Sequence, residues 1–215
     1  MIGLFDSGSG GLNTVRYVKE MSDDVDLIYL IDREHAPYGT KTKKELIGIT
    51  ESNIQKLCDR GCERVLIACM SASTVYPYLK KEYRQRSVSI LEEVAKEAKN
   101  STRSGRIGVI ATERTVKSRA LDKALRGYEL KSLALPSLVG MIDSGLSDKT
   151  VTQGQISELE VMLAPILTSG IDTLILGCTH FPSLKGTIGK IAEGYGVAYL
   201  VDSALTGARL LINQG

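Results

Sequence analysis

The chain has 215 residues, 43% of them apolar and 24% charged, with a formal net charge of +2. That is ordinary globular material, enough for one large α/β domain or two small ones, and no apolar run approaches the ~20 residues of a membrane helix. The basic clusters at Lys41, Lys43 and Lys44 and at Lys80, Lys81, Arg84 and Arg86 are diluted by neighbouring acids. They read as solvated helix faces and not as a nucleic-acid surface.

Ile2 to Phe5 open the chain as a strand, with no basic stretch ahead of it that would make a signal peptide, so a cytoplasmic protein is expected. The strand runs into Asp6-Ser7-Gly8-Ser9-Gly10-Gly11 and then a helix from Leu12 to about Met21. A glycine-rich strand-to-helix turn leaves backbone N–H groups free, which suits a carboxylate or phosphate. Its spacing fits neither a dinucleotide fingerprint nor a P-loop. Leu27 to Ile31 form a second strand, followed by a loop whose turn is fixed by Pro37 and Gly39. Thr42 with Glu45 makes a capping box for a helix ending near Gly61. Val65 to Ala68 form the third strand and deliver Cys69, and Ser71 to Tyr83 read as a helix kinked at Pro77. The short polar stretch Gln85 to Ser89 is the expected crossing between two halves.

Leu91 to Lys99 read as a helix, and Ile107 to Ala111 as the strand opening the second half, with Thr112 to Thr115 starting the next helix. Glu129 to Leu135 form a strand closed by Pro136. A helix carrying Ile156, Leu159, Leu163 and Ile166 precedes the strand Leu174 to Leu176, which ends in Gly177-Cys178-Thr179-His180. Val197 to Val201 return to strand character before a short helix through Leu210 and Leu211. Strands alternating with helices predict an α/β fold with mainly parallel sheets, whose strand C-terminal ends share one edge; Asp6, Cys69, Thr112 and Cys178 all fall there. The two cysteines, and the strands at Ile2 and Ile107, are separated by similar offsets of about 105 to 109 positions, the mark of a duplicated half.

Four cysteines in a chain without an export signal should be reduced thiols. Cys58 and Cys62 share a helical face but lack a second pair at ligand spacing, so no metal is expected. Cys69 and Cys178 each follow an apolar strand, precede hydroxyl-bearing residues and would sit near a helix N-terminus, where the dipole favours thiolate. Two equivalent thiols suit moving a proton from one face of a carbon to the other, because the acid in one direction must be the base in the reverse. A carboxylate or imidazole could assist each thiol: Asp6 for Cys69, with Asp143 or His180 for Cys178. From local sequence alone, Asp6 reads equally as a helix cap and His180 also as a core histidine.

Phe5-Asp6-Ser7-Gly8-Ser9-Gly10-Gly11-Leu12, Pro37-Tyr38-Gly39, Ala68-Cys69 with Ala72-Ser73, Gly108 to Thr112 with Thr115, and Leu176-Gly177-Cys178-Thr179-His180-Phe181-Pro182 together resemble the glutamate racemases of the aspartate/glutamate racemase family. The resemblance implies a cofactor-independent isomerase of two pseudo-symmetric α/β domains with the active site in the cleft between them. Residues 1–89 with 198–215 would form the first domain and 90–197 the second. It implies Cys69 and Cys178 as catalytic thiols, assisted by Asp6, His180 and Asp143. Ser7, Pro37, Tyr38, Gly39, Met70, Ser71, Thr112, Thr115 and Thr179 fall where the family binds its small acidic amino acid.

The expected product is D-glutamate for peptidoglycan synthesis. No nucleic-acid or membrane partner is expected, and a homodimer is the assembly to test. Three positions depart from the family pattern: Met70 stands where an asparagine is usual, Asp143 where a glutamate is usual, and Gly140 where a proline is usual. Met70 motivates the alternative of a racemase for another amino acid such as aspartate. A third reading is a ligand-binding protein on the racemase scaffold without turnover, since a fold alone does not fix a function.

Overall fold

The computed structural model describes residues 1–22 and 24–213. Among the described residues, eight strands form two sheets. β1 (Ile2–Asp6), β2 (Leu27–Ile31), β3 (Arg64–Ile67) and β4 (Ser87–Ser89) pair in the order β2-β1-β3-β4. β5 (Arg106–Ala111), β6 (Glu129–Ala134), β7 (Thr173–Gly177) and β8 (Tyr199–Asp202) pair in the order β6-β5-β7-β8, so the second half repeats the topology of the first. Every pairing is parallel. The inner strands β1, β3, β5 and β7 read as continuous apolar runs because helices cover both of their faces.

The helices of the first half are α1 (Leu12–Met21), α2 (Lys43–Cys58), α3 (Met70–Ser73), α4 (Lys81–Arg86) and α5 (Ile90–Ser101). Those that follow are α6 (Glu113–Ser118), α7 (Ala120–Ala124), α8 (Pro136–Asp143), α9 (Gln153–Leu167), α10 (Lys185–Gly194) and α11 (Ser203–Ile212). The capping box forms as expected: Thr42 Oγ1 accepts from the Glu45 N–H at 3.3 Å, and the Glu45 carboxylate accepts from the Thr42 N–H at 2.8 Å. None of these helices is long and apolar enough to cross a membrane.

Three expectations are corrected. The stretch read as one kinked helix from Ser71 to Tyr83 is broken into α3, a 3₁₀ turn at Tyr76–Tyr78 and α4. Pro77 supplies no N–H and disfavours a helical residue before it, so the chain stops and restarts. Gln85 to Ser89 is not a free crossing: Ser87–Ser89 is β4, paired with β3. Its pairing with β3 buries Ser87 and Ser89 and leaves Val88 half-buried, and Ser87 Oγ donates to the Tyr83 carbonyl at 2.7 Å, so tertiary pairing and not apolar patterning makes this polar stretch a strand. Third, β8 pairs with β7, so residues 199–202 belong to the second sheet, and a boundary at residue 198 cuts through that sheet. The return to the first half begins with α11, which packs on α1 and α5.

One core is shared by both halves: Leu4 and Leu66 of the first sheet, Val94 of α5, Leu211 of α11, and Val109 and Ile175 of the second sheet. Asp202 pins this seam. Its Oδ1 accepts from the N–H groups of Ala204 and Leu205, capping α11, while Oδ2 accepts from Tyr17 Oη at 2.9 Å and pairs with Lys185 Nζ at 3.2 Å. The shared helix layer therefore sets how the two sheet edges face each other.

Candidate active site

Between those edges lies a cavity of about 690 Å³ lined from both halves. Cys69 enters it from the turn after β3 and Cys178 from the residue after β7, and both thiols are buried. Equivalent places in two repeated sheets thus deliver the same group to opposite walls. Burial pushes the Cys69 thiol up to about 12, aided by the Asp6 charge and countered by N–H groups of Ala72 and Ser71 and the Ser7 hydroxyl. Burial likewise raises Cys178, countered by the His180 N–H and reinforced by the charges of Cys69, Asp6 and Asp143. A thiolate at Cys69 therefore opposes ionisation of Cys178.

The two walls carry different helpers. Asp6 is fully buried at the end of β1, outside the cavity lining, and its Oδ1 accepts from the Gly8 N–H at 3.0 Å and from Ser7 Oγ at 3.4 Å. Ser7 Oγ in turn lies 3.8 Å from Cys69 Sγ, so Asp6 reaches that thiol through a hydroxyl. Burial raises the Asp6 carboxyl above its ordinary value, against the lowering by His180, the Gly8 N–H and the hydroxyls of Thr179 and Ser7. On the other wall Cys178 Sγ lies 3.6 Å from His180 Nδ1, and His180 Nε2 lies 3.1 Å from Asp143 Oδ1. His180 and Asp143, read as alternatives for Cys178, lie in series. Asp143 also accepts from Ser9 Oγ of the first half at 3.2 Å.

Close approach makes this possible. A Cβ on Gly10 would press into Thr179 Oγ1 and come within 2.8 Å of His180 Nδ1. Only a glycine lets the β1–α1 turn touch the Cys178 loop. Asn13 of α1 ties the same loop by donating to the Thr179 carbonyl at 2.9 Å and to Ser183 Oγ at 3.2 Å.

Of the remaining expected residues, Ser7, Pro37, Tyr38, Gly39, Met70, Ser71, Thr112 and Thr179 line the cavity. Thr115 does not: it lies behind Thr112 and Ser71, in a hydroxyl cluster with Ser71–Thr112 at 2.8 Å, Thr112–Thr115 at 3.1 Å and Ser71–Thr115 at 3.4 Å. Tyr38 lines the wall, but its hydroxyl is taken up: it donates to Asp32 and accepts from Asn53 Nδ2 at 2.8 Å. Burial alone would raise Asp32, yet hydrogen bonds from Tyr38, Asn53 and His35 outweigh it and hold the carboxyl low. Met70 is 1% exposed and borders the cavity from within the shared core.

Sequence reasoning missed four of the charged members of the lining. Lys41, assigned to a solvated face, and Glu113, Arg114 and Lys117 of α6 all border the cavity. Their signal was position: Glu113 and Arg114 stand between the two threonines that the motif singles out.

The model for the Asp/Glu/Hydantoin racemase family matches residues 13–211 of the chain. A glutamate racemase of Desulforudis audaxviator is 39% identical over 195 residues, covering 88% of this chain and 70% of that protein. The solved glutamate racemase isoform of Bacillus anthracis has a TM-score of 0.86 at 27% identity, covering 100% of this chain and 80% of that one. A glutamate racemase of Francisella tularensis, solved in complex with D-glutamate, has a TM-score of 0.84 at 27% identity, covering 99% and 80%. With the repeated parallel sheets and paired thiols, these likenesses place the chain in the Asp/Glu/hydantoin racemase family, to which it belongs.

Proposed function

We propose that the protein interconverts L- and D-glutamate without a cofactor, using Cys69 and Cys178 as the two bases. The observation that carries this reading is one buried thiol on each wall of a single cavity, at topologically equivalent strand ends. One thiolate takes the α-proton: the Cα–H bond breaks, an S–H bond forms, and its electron pair stays on the substrate as a carbanion. The opposite thiol then gives its proton to the other face of Cα and becomes the thiolate. Reversal uses the same groups with roles exchanged, and proton exchange with solvent resets the enzyme.

Burial raises both thiols and so favours their protonated forms. A bound α-ammonium brings a positive charge beside them and favours thiolate. Asp6 through Ser7 and Asp143 through His180 supply a proton acceptor on each side. The D-glutamate formed would supply peptidoglycan synthesis. Met70, an apolar group at the cavity wall, favours one second reading: turnover of another acidic amino acid such as aspartate.

The test follows D- and L-glutamate, then both aspartates, in D₂O by NMR with a chiral assay and no added pyridoxal phosphate. Deuterium at Cα together with the opposite enantiomer is the expected result, and exchange of aspartate alone would move the substrate to the second reading. Cys69→Ser and Cys178→Ser should each lower racemisation by at least ~100-fold. Full activity in either variant defeats the two-thiol mechanism.

A further inference from the structure

Three cations border the cavity, Lys41, Arg114 and Lys117, against two acids, Glu113 and Asp143. Both acids are already engaged. Glu113 pairs with Lys117 at 2.5 Å and Asp143 with His180 at 3.1 Å. Lys41 forms no ion pair among the described residues, and its ammonium is not buried without a partner. Arg114 differs: its Nε is buried and meets no acceptor, and it forms no ion pair among the described residues. A half-buried guanidinium that lines the cavity, with its Nε–H unpaired and no acid beside it, is short of a carboxylate, whose two oxygens match its fork.

The hydroxyls nearby cannot replace it. Ser71, Thr112 and Thr115 are spent on one another, and none carries charge. An amino acid's ammonium and α-carboxylate neutralise each other, but a second carboxylate drawn into this cavity needs a cation of its own. We propose that Arg114 anchors the anionic end of the substrate's side chain, so that the site selects amino acids with a side-chain carboxylate. The inference deepens the racemase reading and rests on it for the placement of Cα between the thiols.

The experiment uses the whole chain as wild type, Arg114→Gln and Arg114→Lys. Calorimetry compares glutarate with its monoamide, neither of which can be racemised. Wild type should bind glutarate roughly tenfold or more tighter than the monoamide, Arg114→Gln should abolish that preference, and Arg114→Lys should keep part of it. In turnover, Arg114→Gln should raise KM for glutamate about 10- to 100-fold while kcat changes less than about threefold. Equal binding of the two probes by wild type, or an undiminished preference in Arg114→Gln, overturns the anchor. If Arg114→Gln loses the preference while wild type exchanges no α-proton, the racemase reading fails and the anchor stands.

Discussion

Met70 shows how a single residue can belong to two structures at once. It borders the cavity, yet it is 1% exposed and packed with the core that both halves share. An asparagine there would bring an amide into apolar surroundings and leave a void where the thioether was. Met70→Asn should therefore cost at least ~2 kcal/mol, whereas Met70→Leu should cost under ~1.5 kcal/mol. Urea unfolding of both variants checks this. Unchanged stability in Met70→Asn, with faster glutamate turnover, would show instead that the position faces the ligand and that the amide is useful there. Part of the site was legible because strand ends expose their last groups: Cys69 and Cys178, read from that pattern, and Ser7, implied by the family resemblance, all line the cavity. Thr115 was not, because the sequence gives spacing along a helix and says nothing of which hydroxyl lies in front.

At the scale of elements, the decisive contact is between the 3₁₀ turn at Ser9–Gly11 and the loop after β7. Gly10 sits against Thr179 and His180, so the turn from one half holds the His180 imidazole of the other. Gly10→Ala should push the two apart and lower kcat/KM at least ~10-fold, since small displacements at a reacting centre are costly. The check is kinetic, with circular dichroism showing that the fold persists; wild-type kcat/KM would mean that the contact yields without harm. Element type was readable where apolar runs were long, as in β5 and β7. It failed where polarity misled, as in β4, whose pairing with β3 is a tertiary choice. The helix expected around Pro77 failed differently, because a proline that kinks one helix ends another, and packing decides which.

Across the whole molecule, two buried thiols held protonated make stability depend on pH. Each folded-state value lies above the ordinary value near 9, up to about 12 for Cys69 and in the same direction for Cys178. Below pH 9 both states are protonated and the stabilisation is fully present. As pH rises from 9 toward 12 the unfolded chain loses protons that the folded chain keeps, and stability falls by about 1.4 kcal/mol per pH unit for each thiol. Cys62, the half-buried Tyr29 and the buried Tyr38 shift the same way, so the comparison must isolate the pair. Unfolding free energy between pH 7 and 10 should fall less steeply in Cys69→Ser/Cys178→Ser than in wild type. Parallel curves would mean that the thiols are not desolvated in solution.

The sequence by itself determined the alternation of strands and helices, the repeated half and the two strand-end cysteines, because these depend on local periodicity and on which groups follow an apolar run. Only the tertiary structure decided that β8 completes the second sheet while α11 returns to α1 and α5. It alone ran Asp143 and His180 in series toward Cys178 and left Arg114 unpaired at the cavity. Those outcomes depend on which surfaces meet between segments distant in the chain, and a pattern read along the chain does not carry that geometry.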